Sequence, residues 1–122
     1  MKDASDTPAG TPNLLHFERL LRRARRELGP DVTLQRLLIL LNVYLNEGLS
    51  QSELLRMLDA TSPAALSRNL ADLSAWTSRK QPGPGLLELR PDPMNLRRKS
   101  VHLTDFGRAV VERILQTTSE DA

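Results

Sequence analysis

At 122 residues the chain is long enough for one domain around a single modest core. Hydrophobic residues make up 39% of it and charged residues 26%, as in ordinary globular domains, while an aromatic content of 3% calls for a core built from leucine. The lack of cysteine excludes disulfides, thiol redox sensing and zinc-finger chemistry, and a formal net charge of +2 decides little by itself.

Residues 1–13 are small, polar and punctuated by Pro8, Gly10 and Pro12, the composition of a disordered tail. They lack the positive-then-apolar pattern of a signal peptide. No apolar run approaches the ~20 residues needed to span a bilayer, so the expectation is a cytoplasmic protein without a membrane partner. From Asn13, a usable N-cap, the spacing predicts a helix to about Leu28, stopped by Gly29-Pro30. Leu14, Phe17, Leu21, Ala24 and Leu28 recur three and four apart, the seam of a helix that packs on another helix, within the subunit or across a dimer. Arg19, Arg22, Arg23, Arg25 and Arg26 cover the other faces and are expected to be solvated, with a place near DNA as the alternative.

Thr33 can cap a second helix, LQRLLILLNVYLNEG, which is apolar nearly all round and belongs at the centre of the core, with Gly48 ending it. Ser50 then opens SQSELLRMLD with a capping box, because Glu53 follows three residues on; Leu54, Leu55 and Leu58 face inward. A short turn, Asp59 to Thr61, leads into SPAALSRNLADLSAW (Ser62–Trp76). Ser62 is a good N-cap, and Pro63 suits the first helical position, where its missing N–H costs nothing. Leu66, Leu70 and Leu73 form a core-facing stripe, and the opposite side carries Ala64, Ala65, Arg68 and Asp72, with Ser67 and Asn69 beside them. Small residues in the first turn followed by Arg and Asn let a helix approach a surface closely, as helix-turn-helix recognition helices approach base edges. The plain alternative is an ordinary amphipathic helix, with Arg68 paired to Asp72 across one turn.

TSRKQPGPG (Thr77–Gly85) is a loop by composition. Leu86–Arg90 and Lys99–Thr104 suggest two strands separated by the turn-rich PDPMNLRR, a hairpin that would form the wing of a winged helix. Thr104 or Asp105 caps a last helix, FGRAVVERILQ, expected to bury Phe106, Val110 and Ile114, with Val111 and Leu115 as further candidates, before residues 117–122 fray. The fold class is therefore mostly α with a small β-hairpin. It is a single winged helix-turn-helix domain over 14–116, with the helix-turn-helix at 50–76, the wing at 86–104, and flanking N- and C-terminal helices. Charge supports a polyanion partner: from Arg68 to Leu103 seven Lys or Arg residues face three acids. Fourteen of the seventeen cations are Arg, the better fork for phosphate.

SQSELLRML, then SPAALSRNLADL, then LRPDPMNLRRKSVHLTDFGRAVVERIL resembles the MarR-type winged helix-turn-helix regulators, over about residues 34–115. The most specific part is the wing and its exit: RPDP, a cationic tip, an alternating strand and L-T-x-x-G-R-A. The resemblance implies a homodimer on an inverted repeat of double-stranded DNA, with recognition helices in successive major grooves and wings in the minor groove. It places Ser62, Pro63, Ala64, Ala65, Ser67, Arg68 and Asn69 at the major groove. Arg97, Arg98 and Lys99 fall on the wing, and Ser50 and Gln51 near phosphate. Leu14, Phe17, Leu21, Leu28 and Ile114 are the expected dimer contacts. Where the family's wing tip has Asp-x-Arg, this chain has Asn95, Leu96 and Arg97. The turn before the recognition helix is one residue longer than usual, with Asp59 where Gly is common. Thr77–Gly85 looks like an insertion, and both terminal helices look short.

No nucleophile is marked by its surroundings, no G-x-S-x-G occurs, and neither His16 nor His102 has metal-ligand neighbours, so the expectation is no enzyme, no metal and no cofactor. Trp76, the single Trp, is expected to pack at the end of its helix. No small-molecule effector is assigned. The same fold also serves protein assembly, and a winged-helix interaction module or a replication or partition adaptor on plasmid or phage DNA stays open beside the regulator, as does an anti-regulator bound to another protein.

Overall fold

The computed structural model describes residues 10–59 and 61–120, and within them five helices and a three-stranded sheet follow one another as α1 (Thr11–Leu28), α2 (Leu34–Leu45), β1 (Leu49–Ser50), α3 (Gln51–Leu58), α4 (Pro63–Leu73), β2 (Leu87–Asp92), β3 (Asn95–Leu103) and α5 (Asp105–Glu120). The sheet is antiparallel in the order β1-β3-β2. The mostly helical winged helix-turn-helix expected from the sequence is therefore the architecture observed.

The core is leucine-built, as composition requires. Ile39, Leu40 and Val43 of α2 sit at its centre with Leu54 and Leu58 of α3 and Leu66, Leu70 and Leu73 of α4. Leu86, Leu87, Val101 and Leu103 close it from the sheet, and Val110, Val111 and Ile114 from α5. Thr33 caps α2 as expected, its hydroxyl accepting from the Arg36 N–H at 3.1 Å. The helix stops at Leu45, short of Gly48, and it is not apolar-buried all round: Leu34 and Leu45 are exposed. Gly48 instead turns the chain at φ +87°, where its N–H reaches the Val101 carbonyl at 3.0 Å and starts β1. Two residues long and held only by β3, β1 carries no local signal of its own.

Several boundaries move. The first helix begins at Thr11 with Pro12 in its first turn, two residues before the expected N-cap Asn13, and residues 1–9 of the expected tail lie outside the described residues. At the other end α5 continues to Glu120 rather than fraying at 117; residues 121–122 are outside the described residues. The hairpin strands extend through PDPMNLRR, leaving only Pro93-Met94 as the turn. Pro91 is tolerated because β2 is an edge strand, and the register shifts just after it. Thr104, not Asp105, caps α5: its hydroxyl accepts from the Gly107 N–H at 2.9 Å and donates to the Gly85 carbonyl at 2.6 Å.

Three apolar residues stand elsewhere than expected. Phe106 and Trp76 are exposed rather than packed, Trp76 bridging to Pro82 in a short hairpin after α4. Ile114 is 2% exposed inside the subunit's own core, which removes it from the expected dimer contacts. Leu28 is half-buried against that core, whereas Leu14, Phe17 and Leu21 are exposed along α1. The segment Thr77–Gly85 is more ordered than a loop by composition: Asp72 accepts from both the N–H and the hydroxyl of Ser78, and the Leu86 N–H closes onto the Leu73 carbonyl at 2.8 Å. His102 has the structural place expected of it, its ring 2.7 Å from the Ser100 hydroxyl and 3.5 Å from Glu47. No helix among the described residues is long and apolar enough to cross a membrane.

Candidate nucleic-acid interface

The two elements that the sequence reading assigns to a DNA interface are α4 and the β2–β3 hairpin, and each is set by local chemistry. At the start of α4 the Ser62 hydroxyl accepts from the Ala65 N–H at 3.1 Å, and Pro63 occupies the first turn. With Leu66, Leu70 and Leu73 buried, helical geometry turns Ala64, Ser67 and Arg68 outward; all three are exposed, and Ala65 is half-buried. The outer face is thus small and unobstructed up to Arg68. The turn before α4 carries Asp59 at φ +68°, the left-handed side of backbone space, which explains why glycine suits this position better.

Asn69 lies nearer the body of the protein. Its Oδ1 accepts from Arg36 Nε at 3.1 Å, while Arg36 also donates to Asp72 at 2.9 Å. The alternative pairing of Arg68 with Asp72 is not the one adopted, and Asn69 is committed to an internal contact on its oxygen side. Asp72 is held below the usual carboxylate range, first by its hydrogen bonds from the Ser78 N–H and hydroxyl and then by the nearby charges of Arg36 and Arg79.

The wing is fastened at its tip by two short-range bonds: Asp92 accepts from the Met94 N–H at 2.9 Å and Asn95 from the Arg97 N–H at 3.1 Å. Asn95 therefore orders the backbone of Arg97 and not its guanidinium. Arg97 and Lys99 share one side of β3 by strand alternation and are exposed. Arg98 donates to Glu53 at 2.7 Å, tying the wing to the capping box of α3, so its charge is already balanced. Glu53 in turn accepts from the Ser50 N–H and lies below the usual carboxylate range, mainly through the hydrogen bonds of Ser50 and secondarily through Arg98 and Arg56.

Ser50 cannot serve as a phosphate ligand. It is 4% exposed, and its hydroxyl accepts from the Glu53 N–H as the α3 cap. Gln51 is half-buried at the mouth of a cleft of about 520 Å³ between α3 and the wing, lined by Ser52, Arg97 and Lys99 among others. Arg36 is the one charged residue of α2, and its isolation in LQRLLILLNVYL is the sequence signal for the contact it makes with α4.

The two depressed carboxylates have a consequence for acid stability. A carboxyl whose pKa falls on folding adds stability that is complete above its unfolded value and is lost as pH drops through the folded one. Thermal stability should therefore hold near neutrality and begin to fall below about pH 4, the ordinary carboxylate range. Asp72→Asn should make that fall shallower in melting curves taken across pH; an unaltered acid limb would show that Asp72 carries none of it.

No protein-family profile matches this sequence, and no curated protein sequence does. Solved structures do match. The chain superposes on the MepR–DNA complex of S. aureus with a TM-score of 0.66 at 22% identity, covering 89% of this chain and 80% of that one. A cysteine-to-serine mutant of MarR from E. coli gives 0.63 at 25% identity, with 94% and 79% covered. The PcaV transcriptional regulator of Streptomyces coelicolor, solved with its natural ligand, gives 0.60 at 20% identity, with 98% and 78% covered. The shared elements run from α1 to α5, so the similarity takes in the flanking helices as well as the central unit. By fold and by the order of its elements, this chain is similar to the MarR-type winged helix-turn-helix regulators.

Proposed function

We propose that this protein binds double-stranded DNA as a homodimer and regulates transcription, repressing by occupying an inverted repeat in the cytoplasm, with no enzymatic activity of its own. The observation that carries this reading is the distribution of partners among its cations. Arg36, Arg90, Arg98, Arg108 and Arg113 are each paired with a carboxylate. Arg68 on the outer face of α4 and Arg97 and Lys99 on the wing make no side-chain hydrogen bond or ion pair among the described residues. Arg25, Arg26, Arg56, Arg79 and Lys80 are likewise without one among the described residues. What favours DNA is that Arg68, Arg97 and Lys99 put unbalanced charge on the outer face of α4 and on the wing, where it suits phosphate and base edges. MepR, a structural neighbour, has been solved on DNA, which favours the same use here.

The test is binding to duplex DNA from upstream of the protein's own gene, by fluorescence anisotropy, over a salt series and against a scrambled duplex. The expected result is preference for the upstream duplex with two chains per site. Arg97→Ala should lower the slope of log affinity against log salt by about 0.9 for each phosphate the variant leaves unneutralised. Arg68→Ala should cost about 1–3 kcal/mol on the preferred duplex and much less on the scrambled one, as removal of a hydrogen bond to a base edge does. Equal, weak binding to both duplexes that vanishes at physiological salt would overturn the reading in favour of a protein-interaction module.

A further inference from the structure

We propose that Arg36 is a positioning residue for the recognition helix: its guanidinium fork, closed on Asn69 and Asp72, sets which face α4 turns toward DNA. The inference rests on the DNA-binding reading above. The apolar packing of Leu66, Leu70 and Leu73 holds α4 against the core, but hydrophobic burial is non-directional and resists small rotations of a helix weakly. Hydrogen bonds are directional, and the Arg36 fork supplies two of them to residues three apart on one side of α4: Nε to Asn69 Oδ1 at 3.1 Å and a terminal nitrogen to Asp72 Oδ2 at 2.9 Å.

Both ends of this clamp are themselves fixed. Arg36 lies in the first turn of α2, where its own N–H is held by the Thr33 hydroxyl. The other oxygen of Asp72 accepts from the N–H and hydroxyl of Ser78 at 2.8 and 2.7 Å. One carboxylate thus joins α2, α4 and the hairpin that leaves α4. The pair is partly shielded, with side-chain exposures of 35% for Arg36 and 20% for Asp72, unlike the surface ion pairs that contribute little. On the helical wheel Asn69 and Asp72 lie on one flank of α4 and Ser67 on the other, so holding the first two toward α2 leaves Ala64 and Arg68 outermost. Arg36 has no need to touch DNA: its fork is filled from within. Lysine, a point donor on a flexible stem, cannot reproduce the two-residue grip.

The experiment uses the full chain and a duplex enriched from a random pool by the wild-type protein, with its scrambled counterpart as control. Arg36→Gln should lower affinity for the enriched duplex about tenfold, the scale of one charge-assisted hydrogen bond, while leaving scrambled-duplex affinity and the salt slope unchanged. Arg36→Lys should recover part of the loss, and Arg36→Gln with Asp72→Asn should bind no worse than Arg36→Gln alone. In the free protein, amide hydrogen exchange should quicken across 63–73 in Arg36→Gln and stay unchanged in α5. An unchanged preference for the enriched duplex overturns the proposal. So does a loss shared by both duplexes with a shallower salt slope, which would make Arg36 a phosphate ligand. Should the wild type enrich no duplex, the DNA-binding reading fails by itself. The exchange measurement then decides the clamp, and unaltered exchange in α4 would refute it.

Discussion

Gly107→Ala is expected to destabilise the protein by about 3 kcal/mol or more, the range reached when a substitution forces backbone apart inside a core. Gly107 is buried in the first turn of α5, and a methyl group there would stand 2.8 Å from the carbonyl carbon of Leu86 and overlap its oxygen. That backbone has nowhere to go. The Leu86 carbonyl accepts from the Thr104 N–H at 3.0 Å, the Leu86 N–H is bound to the Leu73 carbonyl at the end of α4, and the Leu86 side chain is core. Pushing it aside would disturb the seam where α4, the wing and α5 meet. Urea denaturation should show a midpoint far below wild type, or no cooperative transition at all. Gly10→Ala, where a Cβ meets nothing within 4 Å, is the matched control and should lie close to wild type. A Gly107→Ala midpoint equal to that control would mean that α5 can slide away from Leu86, contrary to the close packing of the two.

The same glycine shows what a sequence can disclose. It stands in L-T-x-x-G-R-A, the most specific part of the resemblance, and its reason is steric: the α5 cap at Thr104 and the bare Cα of Gly107 sit against one peptide of the chain before β2. Local rules were legible in the same way. The capping box of Ser50 and Glu53, the Ser62 cap with Pro63, the Thr33 cap and the stripe of Leu66, Leu70 and Leu73 all depend on residues three or four apart, and all are present. What escaped was decided by partners far along the chain. The strand Leu49–Ser50 exists because Val101 and Ser100 pair with it. The wing strands run through Pro91 because the ladder outweighs the local turn signal. Ser50, Asn69 and Arg98 have the right chemistry for DNA, but the fold engages each one internally, with the Glu53 N–H, Arg36 and Glu53 respectively. Residue type suggests a role, and only the partner says whether the group is available for it.

The seam on α1 leads to the second large effect. Phe17→Glu should convert the proposed dimer to monomer and lower affinity for an inverted-repeat duplex roughly a hundredfold or more, since the second half-site is then no longer engaged by a tethered copy. Phe17 is 56% exposed, with Leu14 and Leu21 also exposed at helical spacing beside it, while Ala24 and Leu28 further along the same seam pack on the subunit's own core. The seam therefore divides into an inner half that holds α1 in place and an outer half left open to solvent. Contiguous exposed apolar residues of this kind mark an association surface, and a carboxylate at its centre would have to be buried without a counter-ion. Because Phe17 contributes little to the subunit's own core, the monomer should remain folded, with far-ultraviolet circular dichroism unchanged. Sedimentation equilibrium separates the outcomes. A wild-type dimer and a folded Phe17→Glu monomer would place the interface on α1. A dimer that survives Phe17→Glu would move it elsewhere, with Ile114 already excluded by its burial in the core. A wild type that is monomeric at all concentrations would leave the two half-sites to separate, uncoupled chains, and the inverted-repeat mechanism would fail with it.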